Sequence, residues 1–316
     1  MPCELTSMKQ NSTPMQTGSK WAISAIVIVI SGALLIHSRA DKEEDIQYNS
    51  EIQNHYAVYA IPMPDGINFA GEAVPLSDPD IYERIDRELH VNTYWQSNSL
   101  LIFKRANKEF PIIEPILKKN GVPDDFKYLA VIESGLQNVV SPAGAAGYWQ
   151  FMKTSGKEFG LEINSEVDER YHLEKATEAA CQYLLQAKAK FGTWTLAAAS
   201  YNMGMGGLNK QLTRQKEDDY YDLLLNSETS RYVMRILALK EIMESPKEYG
   251  FNFREKDLYR LDSIQVITID SAILDFADFA QERELSYKTL KYHNPWLRQS
   301  YLKNISQKRY EIKLPI

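Results

Sequence analysis

The chain has 316 residues, 44% hydrophobic and 25% charged, a globular composition with length for one large core and a smaller unit. Its formal net charge of -6 argues against nucleic acid as a partner. The five histidines (His37, His55, His90, His172, His293) form no H-E-x-x-H or Cys/His cluster, so neither a metal site nor a cofactor is expected; Cys3 and Cys181 are too far apart to suggest a disulfide.

Residues 1–19 are a polar tail. Residues 21–36, "WAISAIVIVISGALLI", are almost continuously apolar, and no formally charged residue falls between positions 21 and 38 if His37 is neutral. A membrane helix needs ~17–25 such residues. The stretch 20–38 therefore reads as a transmembrane anchor with its N-terminus in the cytoplasm, or as a secretory signal cut after Ser38-Arg39-Ala40. The long polar leader favours the anchor. Either reading places the rest of the chain outside the cytoplasmic membrane. Residues 39–75 mix charge, Asn, Gly and Pro around one strand-like patch, "YAVYAIPM", and read as a stalk.

Helical patterning begins at "LSDPDIYERIDREL", where Ser77 or Asp78 can cap a helix with Ile81, Ile85 and Leu89 on one face. Helical segments follow at 94–109 and 112–119. The next helix starts at Pro123 and Asp124, stops at Gly135, and is apolar around most of its girth. Glu133 lies ~20° from Phe126 and ~40° from Leu129 on a helical wheel, so it continues the apolar stripe. A partly buried carboxyl at a helix C-terminus is disfavoured as an anion by desolvation and by the helix dipole. Its raised pKa suits a general acid.

The loop "SPAGAAG" (141–147) can let backbone approach a ligand, or be an ordinary surface turn. "YWQFM" (148–152) follows it. Helices are expected at 173–191, from Thr193 to Tyr201-Asn202 with Gly204, Gly206 and Gly207 as breakers, and at 228–244 with Tyr232. "QVITI" (265–269) and "YEIKL" (310–314) read as strands around two short helices, a βααβ unit. The aromatic–amide pairs Trp149/Gln150 and Tyr201/Asn202 suit sugars, which offer hydroxyl and N-acetyl groups beside apolar ring faces. Nucleophilic-serine and phosphate-loop motifs do not match.

"YLAVIESG", "SPAGAAGYWQFM", "AAASYNMG" and Tyr232 within "ETSRYV" occur in the order expected of lytic murein transglycosylases, and residues 75–250 resemble the membrane-bound D type. The resemblance implies a mainly α, lysozyme-like catalytic domain over 76–256 with a sugar-binding groove. The family's catalytic glutamate maps onto Glu133, and its supporting serine onto Ser134. Its Gly-x-x-Gln motif maps onto Gly147 to Gln150, with Tyr148 where an aliphatic residue is commoner. Its Tyr-Asn motif maps onto Tyr201 and Asn202, followed by Met203 where alanine is usual, and its late tyrosine onto Tyr232. It further implies peptidoglycan glycan strands as partner, non-hydrolytic cleavage to 1,6-anhydro ends, and a periplasmic catalytic domain. Residues 257–316 resemble a LysM module with a degenerate opening; glycan binding and a packing role are both open for it. A goose-type lysozyme on the same fold and a silent wall-binding protein remain alternatives at this level. Asp124, Asp125, Glu158 and Asp168 have ordinary structural readings as cap, helix-surface or salt-bridge residues.

Overall fold

Asp78 opens the helical body. Its carboxylate accepts from the Asp80 and Ile81 amides, and Pro79 fills a position whose N–H needs no partner, so α1 (Pro79–Tyr94) starts there in the computed structural model. Residues 46–47 and 58–316 are described, and residues 61–316 form one unit. The proposed tail at 1–19 and anchor at 20–38 lie outside the described residues. No helix among the described residues is long and apolar enough to cross a membrane.

Residues 61–75, read from the sequence as stalk, instead pack into this unit. Residues 58–63 form no strand; a hairpin follows, with β1 (Asn68–Phe69) antiparallel to β2 (Glu72–Ala73). Its turn residues Ala70 and Gly71 both have positive φ, as a tight hairpin turn requires. Phe69 is completely buried and meets Phe126 edge-on at 5.1 Å. Glu72 accepts from the Trp194 and Thr195 amides, which blocks any free role for that carboxylate.

α2 (Gln96–Asn120) differs from the sequence reading of two helices. Pro111 and Pro115 lie inside one continuous helix. Each proline forfeits one helical hydrogen bond, but Ile102, Phe103, Ala106, Ile113 and Leu117 share a buried face across both, and burial of that face holds the helix together. A 3-10 turn at Asp124–Phe126 then leads into α3 (Lys127–Ser134). α4 (Lys153–Glu158), not evident in the sequence, precedes α5 (Leu173–Phe191) and α6 (Trp194–Met203). Ala197, Ala198 and Ala199 are fully buried, and α6 packs closely against α5 and α8 (Ser227–Glu244). Gly204 breaks the chain, yet Gly206 and Gly207 lie within α7 (Met205–Gln215), whose Leu208 is buried. α1 lies along α8. Buried Glu88 of α1 pairs with Arg231 of α8 at 2.7 Å, which fixes that crossing.

At the C-terminal end, β3 (Ile264–Ile269) pairs antiparallel with β4 (Tyr310–Pro315), with Val266 opposite Lys313. α9 (Phe276–Gln281) and α10 (Tyr287–His293) lie between them in sequence. Phe276, Leu290, Trp296 and Ile312 form a second core, completed by Ala146, Val167 and Tyr171 of the helical body. Backbone bonds join the two parts: Asp168 N–H to the Trp296 carbonyl at 2.9 Å, and Arg298 N–H to the Glu166 carbonyl at 2.7 Å.

Asp125 ties the N-terminal hairpin to this body. It accepts from the Ala70 amide at 2.7 Å and from Lys240, itself buried, at 2.8 Å. Asp125→Ala leaves that lysine with the Asn68 carbonyl but without its counter-ion, and is expected to cost about 3 kcal/mol in urea denaturation, against less than about 1 kcal/mol for the exposed neighbour Asp124→Ala.

Candidate active site

Gly135, at φ 60°, ends α3 with its N–H on the Val131 carbonyl. The stop leaves Glu133 in the last turn, half-buried, facing α8. There the Tyr232 hydroxyl donates a short hydrogen bond to Glu133 Oε1. Arg235, one turn further along α8, donates to the Ile132 carbonyl at 3.1 Å. Burial pushes the Glu133 carboxyl up to about 7; the Tyr232 phenol and the Arg235 charge oppose this, and Glu228 adds to it. Burial also pushes Tyr232 well above the usual tyrosine range, so it remains a proton donor. The arrangement gives an acid that is substantially protonated near neutrality and whose anion has a waiting hydrogen-bond donor.

The loop beside this acid is built on Arg170. Its guanidinium chelates Asp168 (2.9 and 2.7 Å) and donates to the Gly144 and Phe151 carbonyls. Asp168 thus has the salt-bridge role read from the sequence. Gly147, at φ 83°, lies against the Arg170 carbonyl; a Cβ there would sit 1.8 Å from that oxygen. The sequence left this loop open between ligand approach and an ordinary turn; in the structure the glycine accommodates the protein's own backbone.

Ser134 also meets the protein's own backbone. It is buried, donates to the Tyr148 carbonyl at 2.8 Å, and accepts from the Gln137 amide. Its hydroxyl hydrogen joins the end of α3 to the loop and is not turned to a cleft. Tyr201 donates to the Trp149 carbonyl at 2.9 Å, and its ring meets Phe151 and Tyr183 edge-on. Gln150 has φ 48° and donates to the Val139 and Gly147 carbonyls. Asn202 accepts from the Thr229 hydroxyl at 2.7 Å and donates to Glu228. Glu133 and Tyr232 are thus in direct contact, Ser134, Gly147, Gln150 and Tyr201 hold the loop next to them, and Asn202 secures the start of α8.

Sequence reasoning missed Arg170 and Arg235. Arg235 was findable, being three residues from Tyr232 on the same helical face. Arg170 had no sequence signal for its place in the loop, because beyond Asp168 its acceptors are carbonyls distant in the chain. Val140 and Met152, which flank the loop, are exposed apolar residues. No group of three or more His, Cys, Asp or Glu residues that could hold a metal ion occurs among the described residues.

Residues 110–224 match the Transglycosylase SLT domain, and residues 265–316 match the soluble lytic transglycosylase C-terminal LysM-like domain. The chain is 29% identical over 250 residues to the membrane-bound lytic murein transglycosylase D of Escherichia coli K12, covering 76% of this chain and 54% of that protein. The protein of the same name from E. coli O6:H1 matches equally. The chain therefore spans about half the length of the curated relatives it matches. Among solved structures, the 70 kDa soluble lytic transglycosylase of E. coli aligns at 17% identity with a TM-score of 0.40, covering 72% of this chain and 47% of that one.

Two outcomes are expected from this geometry. Between the unfolded carboxyl value of ~4.3 and about 7, the native state holds the Glu133 proton that the unfolded chain has released. Stability should fall by up to about 3 kcal/mol across that window, and Glu133→Gln should flatten this loss in denaturation curves taken from pH 4 to pH 8. Gly147→Ala, forced against the Arg170 carbonyl at positive φ, should destabilise the fold by about 3 kcal/mol or more, read as a lowered midpoint in urea.

Proposed function

We propose that the chain is a peptidoglycan lytic transglycosylase of lysozyme-like fold, cleaving the β-1,4 bond between N-acetylmuramic acid and N-acetylglucosamine without water and leaving 1,6-anhydro-muramyl ends. The observation that carries this reading is the Glu133 carboxyl, raised to about 7 and hydrogen-bonded by Tyr232. The domain matches over 110–224 and 265–316 support the substrate class.

In this mechanism protonated Glu133 donates to the glycosidic oxygen as its bond to C1 breaks. The substrate's own 2-acetamido oxygen stabilises C1, as in substrate-assisted glycosidases. The resulting Glu133 carboxylate keeps the Tyr232 hydrogen bond at one oxygen. Its other oxygen takes the proton of the C6 hydroxyl as that hydroxyl attacks C1. The acid is regenerated, and one proton has left and returned. A pKa near the working pH serves both halves, since the group must give and then accept. Ser134, Gly147, Gln150 and Tyr201 position the loop, and exposed Val140 and Met152 offer apolar surface for sugar ring faces. Residues 265–316 supply a second glycan contact, and a membrane anchor at 20–38 would hold the whole in the cell envelope with its catalytic part in the periplasm.

Hydrolysis would need a second carboxylate to activate water. Glu228 is the carboxylate that acts on Glu133, and its side chain is engaged by Asn202. Mass spectrometry of digested sacculi separates the two chemistries. Glu133→Gln is expected to lower product release by ~10²-fold or more, whereas Glu228→Gln should leave anhydro ends as the product. Reducing ends from the wild-type protein would overturn the transglycosylase reading. Activity should decline as pH rises through about 7, where Glu133 loses its proton, and Tyr232→Phe should move that decline upward, because the phenol lowers the Glu133 pKa.

A further inference from the structure

A cavity of about 450 Å³ lies on the other side of Tyr148 from the loop backbone that Ser134 holds, between α2, the start of α5 and the C-terminal β3–α10–β4 elements. Glu133 does not line it. Its volume is in the range of sites for small organic ligands. Most of its charges are already matched: Lys108 pairs with Asp262 at 2.9 Å, and Lys313 pairs with Glu174.

Two charges are not. Arg105 and Glu109 line the cavity one turn apart on the same face of α2, and neither forms an ion pair among the described residues. Arg105 donates to the Gly135 carbonyl at 3.1 Å. Glu109 is buried, and its hydrogen-bond partner is the Tyr148 hydroxyl, at a long 3.4 Å. The Lys108 and Lys313 charges act on it without ion-pair contact, and a buried carboxyl with one long hydrogen bond is costly unless something else meets it. Burial raises the Glu109 carboxyl to about 6, against the opposing Lys108 charge, Tyr148 hydroxyl and Lys313 charge. Two further polar atoms at the wall, Trp296 Nε1 and Asn138 Oδ1, are buried and have no hydrogen-bond partner. One is a donor and the other an acceptor.

We propose that this cavity is a second binding site, separate from Glu133, for the free-ended segment of a short peptide. Arg105 receives the carboxylate and Glu109 the ammonium group. A peptide bond has one donor and one acceptor, the complement of Asn138 Oδ1 and Trp296 Nε1. The Tyr148 hydroxyl is the group that reaches Glu109. This site stands on its own geometry and does not require the glycosidic chemistry.

Isothermal titration of the full chain tests it, with alanylalanine, its N-acetyl and C-amide derivatives, and a disaccharide-peptide ending in a diamino acid, whose free ammonium is on that residue's side chain because the peptide's own N-terminus is joined to the sugar. Free-ended peptide should bind, and blocking either end should weaken binding at least tenfold. Glu109→Gln should reproduce the loss caused by N-acetylation, and Arg105→Gln that caused by amidation, with thermal midpoints unchanged or raised. Binding of the free dipeptide identifies a soluble peptide as sufficient; binding of the disaccharide-peptide alone, with the same dependence on both side chains, identifies a glycan-borne one. Absence of binding in both arms at millimolar concentration, or binding indifferent to the end groups and to both substitutions, overturns the proposal. Glu133→Gln should leave peptide binding intact while sacculus cleavage is lost, so the two sites can fail separately.

Discussion

Holding one carboxylic acid poorly hydrated, yet within reach of a donor, constrains most of the helical body. Glu133 cannot supply that environment from α3 alone, which is a short helix. α8 must lie against it, so that Tyr232 meets the carboxyl and Arg235 meets the neighbouring Ile132 carbonyl. α8 is in turn braced by α1 through the buried Glu88–Arg231 pair, and by the alanine face of α6. Desolvation and hydrogen bonding pull the acid in opposite directions, and their balance leaves it near 7.

The loop beside the acid shows how much of a site is scaffold. Arg170 collects carbonyls of the loop, while Asp168 compensates its charge. Buried hydrogen-bonding groups must be satisfied, and here the satisfying partners also define the loop's shape. Tyr201, Gln150 and Ser134 each donate to loop carbonyls. These residues therefore act on the shape of the loop beside the acid.

The C-terminal unit is not an independent appendage in its packing. Its core includes Ala146, Val167 and Tyr171 from the body. The same seam that completes this core leaves the cavity containing Arg105 and Glu109. Apolar and polar consequences of one interface thus lie side by side, with Tyr148 reaching from the loop beside Glu133 into it.

What was legible in the sequence was what depends on local pattern. A cap at Ser77 or Asp78, which the structure gives to Asp78, the Gly135 stop, the apolar stripe through Glu133 and the βααβ order all follow from residue type and period, because capping, left-handed turns and amphipathic faces are set within a few residues. Motif order also brought Glu133 and Tyr232 onto one page, although they are 99 residues apart. What was not legible depends on contacts between distant segments. Burial carried α2 through two prolines that local rules treat as stops, and the hairpin at 68–73 was drawn out of a supposed stalk by Phe69 and Asp125. The contacts of Ser134 and Gly147 with the Tyr148 and Arg170 carbonyls depend on an approach that no sequence period encodes. A chain's own order fixes which groups it has; only the packed fold determines which of them remain without a partner.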